Sequence, residues 1–196
     1  MNHKELLKKW RQELAEHDYR HKYPLTKDSL VLDLGAYKGK WCIAMAKRYG
    51  CRVIAYEPIF HQELREAVGD LPIEIVNKAV AGSSGTVECA INKDASSIVH
   101  SKEQKTVKIQ TIAVVDVFNE FESIDLMKLN VEGAEYEIFE SMTDEMLARV
   151  ASYQIQFHRN VPDFEERRRR IRKRIAETHS VTYCYDFIWE GWDRRR

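Results

Sequence analysis

The stretch Val31-Leu32-Asp33-Leu34-Gly35-Ala36-Tyr37-Lys38-Gly39 decides how the rest of the chain is read. An apolar run ends in an acid, a Gly-Ala pair and a second glycine follow, and a helix-like pattern begins. Such a run reads as a buried parallel strand whose tip turns sharply into a helix. Glycines at that turn let the backbone approach a ligand closely, as in nucleotide-type cofactor sites. The acid narrows the ligand. A dinucleotide brings an anionic pyrophosphate to the helix N-terminus, where free N–H groups and the dipole favour negative charge. Asp33, on the strand beside that spot, opposes an anion and suits a cofactor carrying positive charge. The full G-x-G-x-x-G fingerprint is also absent, because only Gly35 and Gly39 are present. The plain alternative is a tight turn with an exposed capping aspartate.

Outward from this turn, strand and helix patterns alternate. Residues 4–16 form an amphipathic helix pattern with Leu6, Leu7, Trp10 and Leu14 on one face. Ser29–Leu34 is the first strand, and Gly39–Tyr49 is a helix stopped by Gly50. Arg52–Tyr56 is a strand ending at Glu57-Pro58, with Pro58 suited to the first turn of a helix running to Val68. Ile73–Val76 is a third strand, followed by Asn77, Lys78 and Ala79. Thr86–Ile91 and Thr106–Ile112 alternate as an antiparallel pair around a polar loop at 92–103. Ile124–Val131 is a buried strand ending in Glu132-Gly133, and two helices follow at 134–142 and 143–150. Ser152–Phe157 is a strand ending at His158. A helix from Pro162 to Thr178 precedes a final strand over Val181–Trp189. The expected fold is α/β: a doubly wound, Rossmann-like sheet with helices on both faces and a small antiparallel hairpin insertion. One domain is expected over 1–196, with a helical extension at 1–28 and a basic helix and last strand or strands at 159–196.

Composition is that of an ordinary globular protein, with 44% hydrophobic and 32% charged residues. No run approaches the roughly 20 apolar residues of a membrane span, and Met1–Arg20 lacks an apolar signal core. Cys42, Cys51, Cys89 and Cys184 are scattered without a C-x-x-C pair, which suits reduced thiols in a cytoplasmic protein and no metal site. The formal net charge of +0 argues against a nucleic-acid partner. The arginine-rich helix at 163–178 reads as a solvated face with Glu165 and Glu166 paired one turn on, or as a landing site for an anionic acceptor.

In a doubly wound sheet, ligands bind beyond the carboxyl ends of the strands. Asp33, Glu57, Asn77, Asn130, Glu132 and His158 all fall at such ends. An acid about 20 residues past the first turn, as Glu57 is, commonly accepts from ribose hydroxyls. S-adenosylmethionine fits the Asp33 argument, since it carries a sulfonium and an ammonium and no phosphate.

The ordered set Asp33-Leu34-Gly35-Ala36-Tyr37-Lys38-Gly39, Tyr56-Glu57-Pro58, Asn77-Lys78-Ala79-Val80, Val114-Val115-Asp116-Val117 and Lys128-Leu129-Asn130-Val131-Glu132-Gly133-Ala134-Glu135 resembles the FkbM-type S-adenosylmethionine-dependent methyltransferases. The resemblance covers roughly residues 29–158. It implies a class I methyltransferase fold and methyl transfer to a hydroxyl of a sugar, glycan or secondary metabolite. The competing readings are a nucleotide-cofactor oxidoreductase and a non-catalytic S-adenosylmethionine-binding protein.

Roles follow from the chemistry. Asp33 and the turn residues Gly35, Ala36, Tyr37 and Gly39 are expected to hold the methionine end. Glu57 takes the ribose, Pro58 and Ile59 pack on adenine, and Asn77, Lys78 and Ala79 flank it. Lys38 is expected to point to solvent. An alkyl hydroxyl must lose its proton as the new bond forms, and a general base contributes about 10²–10⁴-fold. His158 is the first candidate base, neutral near pH 7 at its ordinary pKa, and Glu132 is the second. Asn130 stands where the family commonly has Asp, and an amide is neither a base nor a good ligand for a hard cation. Ser96 and Ser97, in the loop over the cofactor, are candidate substrate contacts. Lys128 is a further substrate candidate, or else pairs with Asp33, Asp116 or Glu132. Tyr185, Trp189 and Trp192 either stack on a sugar ring or cap the last strand.

Overall fold

The computed structural model describes residues 2–91, 96–97 and 106–195. A seven-stranded sheet carries the molecule. Its strands are β1 (Leu30–Leu34), β2 (Arg52–Tyr56), β3 (Ile73–Val76), β8 (Ile124–Leu129), β9 (Val150–Ile155), β10 (His179–Tyr185) and β11 (Trp189–Arg194), in the order β10-β11-β9-β8-β1-β2-β3. All the pairings from β3 to β9 are parallel, and β11 runs antiparallel to both its neighbours. Strands β1 and β8 are buried on both faces, which explains why apolar residues stand on both sides of each, interrupted by Asp33 in β1 and by Asp125 and Lys128 in β8.

A second, four-stranded sheet is made by β4 (Ala79–Ala81), β5 (Gly85–Ile91), β6 (Ser96–Ser97) and β7 (Thr106–Ala113), in the order β4-β7-β5-β6. The expected hairpin is its β5–β7 pair. Two short strands enlarge it, one of them within the segment read as a loop.

Helices cover both faces. On one side, α2 (Lys40–Tyr49) and α3 (His61–Val68) bury Trp41, Cys42, Met45 and Leu64 against Val31 and Val53. On the other, α4 (Val114–Glu120), α5 (Glu135–Ser141), α6 (Asp144–Ala148) and α7 (Phe164–Ile175) contribute to the larger core around Phe118, Tyr136, Phe139 and Ile175. The N-terminal helix α1 (His3–His17) starts in an Asn2–Glu5 capping box. It docks Trp10 against Tyr183, Tyr185 and Trp189.

Three details depart from the sequence reading. The final strand is two strands, because the chain reverses at Asp186–Ile188, with Phe187 in the left-handed region at φ 56°. Gly191, expected beyond that strand, sits inside β11, where a Cβ would lie 2.3 Å from Tyr183 Cε1. Pro58 precedes α3, which starts at His61, rather than opening its first turn. Among the described residues no helix is long and apolar enough to cross a membrane.

Candidate active site

A cleft of about 180 Å³ lies across the carboxyl ends of β1, β2 and β8 and is floored by the small sheet. Its first wall is the glycine turn. Gly35, at φ 80°, donates its N–H to Tyr56 O at 3.0 Å, tying the tip of β1 to that of β2. A Cβ on Gly35 would lie 2.1 Å from Asn130 O, so only glycine lets the two crossovers approach this closely. Gly39, at φ 84°, is the N-cap of α2, and a Cβ there would meet Leu64 Cδ1 at 2.4 Å. Gly39 and the buried Ala36 shape the turn from behind, while Gly35 and Tyr37 line the cleft. Tyr37 is 40% exposed and edge-packed on Phe60, with Lys38, itself exposed, over both rings.

Glu57 organises the second wall. One carboxylate oxygen accepts from Tyr37 N–H at 2.7 Å, and the other from Ile59 and Phe60 N–H at 2.9 and 3.0 Å. A carboxylate offers about four acceptor positions, so one remains for a hydroxyl in the cleft. Pro58, Ile59 and Phe60 continue this wall, and Ala79, Val80, Cys89 and Ile109 supply an apolar floor. Asn77 and Lys78 are exposed and outside the lining; of the three residues expected beside adenine, only Ala79 faces the cleft.

The third wall is the loop after β8. Asn130, Val131, Glu132 and Ala134 line the cleft. Asn130 presents a buried side-chain oxygen without a hydrogen-bond partner among the described residues. The loop is held from below by Glu135, which is fully buried. Its two oxygens accept from Val131 N–H at 3.0 Å and Gly133 N–H at 2.9 Å. Glu135 also binds His158 Nδ1 at 2.7 Å, while His158 Nε2 lies 3.4 Å from Glu132. Glu132 has a left-handed backbone, φ 56°.

Two expectations are corrected here. Burial works against charge on His158, but the hydrogen bonds to Glu132 and Glu135 outweigh it and raise its pKa to about 10. A histidine that keeps its proton at pH 7, with both nitrogens turned to carboxylates, has no lone pair with which to act as a base. Asp33 is fully buried and outside the cleft lining. Lys128 Nζ holds it at 2.7 Å and also donates to Gly35 O at 2.8 Å. Of the pairings considered for Lys128, Asp33 is the one formed, and at 3% exposure Lys128 is a strut beneath the turn rather than a substrate contact. The opposition between Asp33 and an anionic ligand therefore loses its force, since the charge is neutralised locally. The side chains of Ser96 and Ser97 lie outside the described residues. Among the described residues no His, Cys, Asp and Glu cluster could hold a metal ion.

Sequence reasoning missed Glu135 and Phe60 as site residues. The signal for Glu135 was present, as the last letter of the Glu132-Gly133-Ala134-Glu135 run. Its role depends on which backbone groups the loop leaves unpaired, which a sequence pattern does not give.

The methyltransferase FkbM domain profile matches residues 33–178. The chain belongs to the FkbM methyltransferase family. With that membership come S-adenosylmethionine as the methyl donor and methyl transfer as the reaction class. Among solved structures the chain is similar to an FkbM methyltransferase from Methylobacillus flagellatus, with 13% identity and a TM-score of 0.57 over 87% of this chain. It spans only 44% of that protein's length. It is also similar to a putative rRNA methylase from Clostridium thermocellum, with 10% identity, a TM-score of 0.59 and coverage of 93% and 94% of the two chains. An rRNA methylase from Streptococcus thermophilus shows 10% identity and a TM-score of 0.50, over 93% and 95% of the two chains. These likenesses establish the shared fold. No curated protein sequence matches the chain.

Proposed function

We propose that this chain forms a single catalytic domain and transfers the methyl group of S-adenosylmethionine to a hydroxyl oxygen of a small acceptor such as a sugar, glycan or secondary metabolite. The observation that carries this reading is Glu132: a carboxylate on the cleft wall, its loop fixed by Glu135 and its far side met by a cationic His158.

The cleft divides by chemistry. Glu57 keeps one acceptor position for a ribose hydroxyl, and the apolar group of Ile59, Val80 and Ile109 suits the adenine face. The glycine turn and the free oxygen of Asn130 are placed for the methionine end, where a cofactor ammonium donates to that oxygen. S-adenosylmethionine supplies a methyl carbon already activated by its sulfonium, so the protein's main task is alignment. The acceptor proton must still leave, and Glu132 is the cleft group that takes it. His158 holds Glu132 in place and keeps its own proton. The small-acceptor reading is supported by the absence of net charge and by the internal pairing of the α7 arginines described below.

The test is transfer of labelled methyl from S-adenosylmethionine to a panel of hydroxylated sugars, with RNA as the comparison. Glu132→Gln is expected to lower kcat by about 10²–10⁴-fold, with S-adenosylhomocysteine affinity unchanged. Label appearing on RNA and on none of the sugars, or undiminished turnover in that variant, overturns the reading.

A further inference from the structure

Among the described residues, Arg20 is a part-buried cation with no carboxylate at ion-pair distance. Strand register places Asp33, Lys128, Gln154, Gly191 and Tyr183 in a single row across five strands. In-register neighbours share a sheet face, so this row is polar on the face that packs Trp41 of α2. Asp33 and Lys128 pair with each other. Gln154, fully buried, donates to Arg20 O at 3.1 Å, Tyr23 Oη at 2.9 Å and Tyr183 Oη at 3.2 Å. Trp41 Nε1 donates to the same carbonyl of Arg20 at 2.8 Å. The backbone of Arg20 is thus pinned over the row, and its guanidinium lies over the Trp189 ring at 4.3 Å.

Among the described residues no carboxylate comes within ion-pair distance of that guanidinium; Asp33, whose charge acts on it, is already paired with Lys128. Burial disfavours its charge. Gln154 Oε1 and Arg20 Nε are both buried without a partner. A part-buried cation left unpaired is costly unless an anion arrives. The row also has a direction. Lys128 links it to Gly35 on the cleft wall, and from there Gln154 and Trp189 lead away from the adenine floor towards β9 and β11. In an in-line transfer, the acceptor approaches the methyl group from the side opposite the sulfur.

We propose that Arg20 is an anion-binding residue beside the Trp189 ring, where the polar row that starts at the cleft wall ends, taking a carboxylate or phosphate group. Two sources share that chemistry: the α-carboxylate of the methionine moiety, or an acidic group on the acceptor. The cofactor source and the direction of acceptor approach rest on the methyl-transfer reading; the anion-binding role of Arg20 does not.

Calorimetry separates the sources. Wild type, Arg20→Met and Arg20→Lys are titrated with S-adenosylhomocysteine and its decarboxylated analogue. They are then titrated, with S-adenosylhomocysteine present, with glucuronate, glucose 6-phosphate and glucose. If the anion is the cofactor's, Arg20→Met weakens S-adenosylhomocysteine at least tenfold and leaves the decarboxylated analogue unaffected. If it is the acceptor's, Arg20→Met leaves S-adenosylhomocysteine unchanged and abolishes a tenfold or greater preference for the charged sugars over glucose. Arg20→Lys retains most of either effect. Unchanged affinities in Arg20→Met overturn the proposal. So does a wild type that binds each charged ligand no better than its uncharged counterpart, which needs no variant to fold. A wild type that binds neither adenosyl compound defeats the methyl-transfer reading, while the comparison of glucuronate with glucose, then made without it, still tests Arg20.

Discussion

At the scale of the residue, His158 has the most testable electrostatics. An unfolded histidine titrates near pH 6.5, whereas in the fold the two carboxylates raise the value to about 10. The folded pKa is the higher one, so the protonated side chain contributes fully below about pH 6.5, and that contribution is lost as pH rises through 10. Replacing His158 by Gln is expected to cost about 3 kcal/mol at pH 6, with the cost shrinking steadily between pH 7 and 10. Urea unfolding of both proteins at several pH values measures this; a difference constant with pH would show that the contacts are not ionic. The same residue shows where sequence reading stops. Its place just beyond a strand was readable, because Tyr153, Ile155 and Phe157 alternate with polar residues up to it. Its charge was not, because that depends on Glu135 and Glu132, which reach it across a crossover. For Asp33, pairing with Lys128 was one of three pairings considered; which one forms depends on the register of strands 95 positions apart. Glu57 was easier, since the backbone groups it binds at Ile59 and Phe60 are local.

At the scale of the element, the strands that were legible are those that are mostly apolar on both faces, β1, β2 and β8, and the helices are those with a clear stripe. The β10–β11 reversal was not legible, because Asp186-Phe187-Ile188 contains neither glycine nor proline, and Phe187 takes the left-handed conformation without a sequence signal. Helix α7 was recognised, and one of its two expected internal pairings forms, but the partners of its arginines outside the helix were not foreseen. Only Glu166 pairs within the helix, with Arg169 and Arg170. Arg168 and Arg172 instead converge on the buried Glu190 of β11, and Arg174 reaches Asp144. Helix α1 offers the clearest prediction. It is fixed chiefly by Trp10, 4% exposed among Tyr19, Tyr183 and Tyr185. Trp10→Ala should cost about 3–5 kcal/mol in that cluster. Hydrogen exchange locates the loss: amides of α1 should exchange faster while those of β1 and β8 keep their protection. Equal loss of protection throughout would show that α1 and the sheet unfold as one unit.

At the scale of the whole molecule, the alternation of strand and helix made the doubly wound architecture legible, and the polar strand ends fixed which edge holds the cleft. Strand order and the polar row were not legible, since both arise from pairings between distant segments. Charge distribution is a property of this scale too. The sequence shows a run of arginines that resembles a polyanion-binding surface. In the fold, Arg167 meets Glu140 at 2.7 Å, Arg168 meets Glu190 at 2.8 Å and Arg174 meets Asp144 at 2.9 Å. A guanidinium already paired releases few counterions when a phosphate backbone approaches, so affinity and its dependence on salt should both be low. The chain is therefore expected to bind a labelled single-stranded RNA no more tightly than about 10⁻⁴ M at physiological salt, the weak limit of non-specific binding. Fluorescence anisotropy across a salt series measures this. Micromolar binding that falls steeply with salt would mean that the arginines of α7 exchange Glu140 and Glu190 for phosphates, and the acceptor would then have to be sought among nucleic acids.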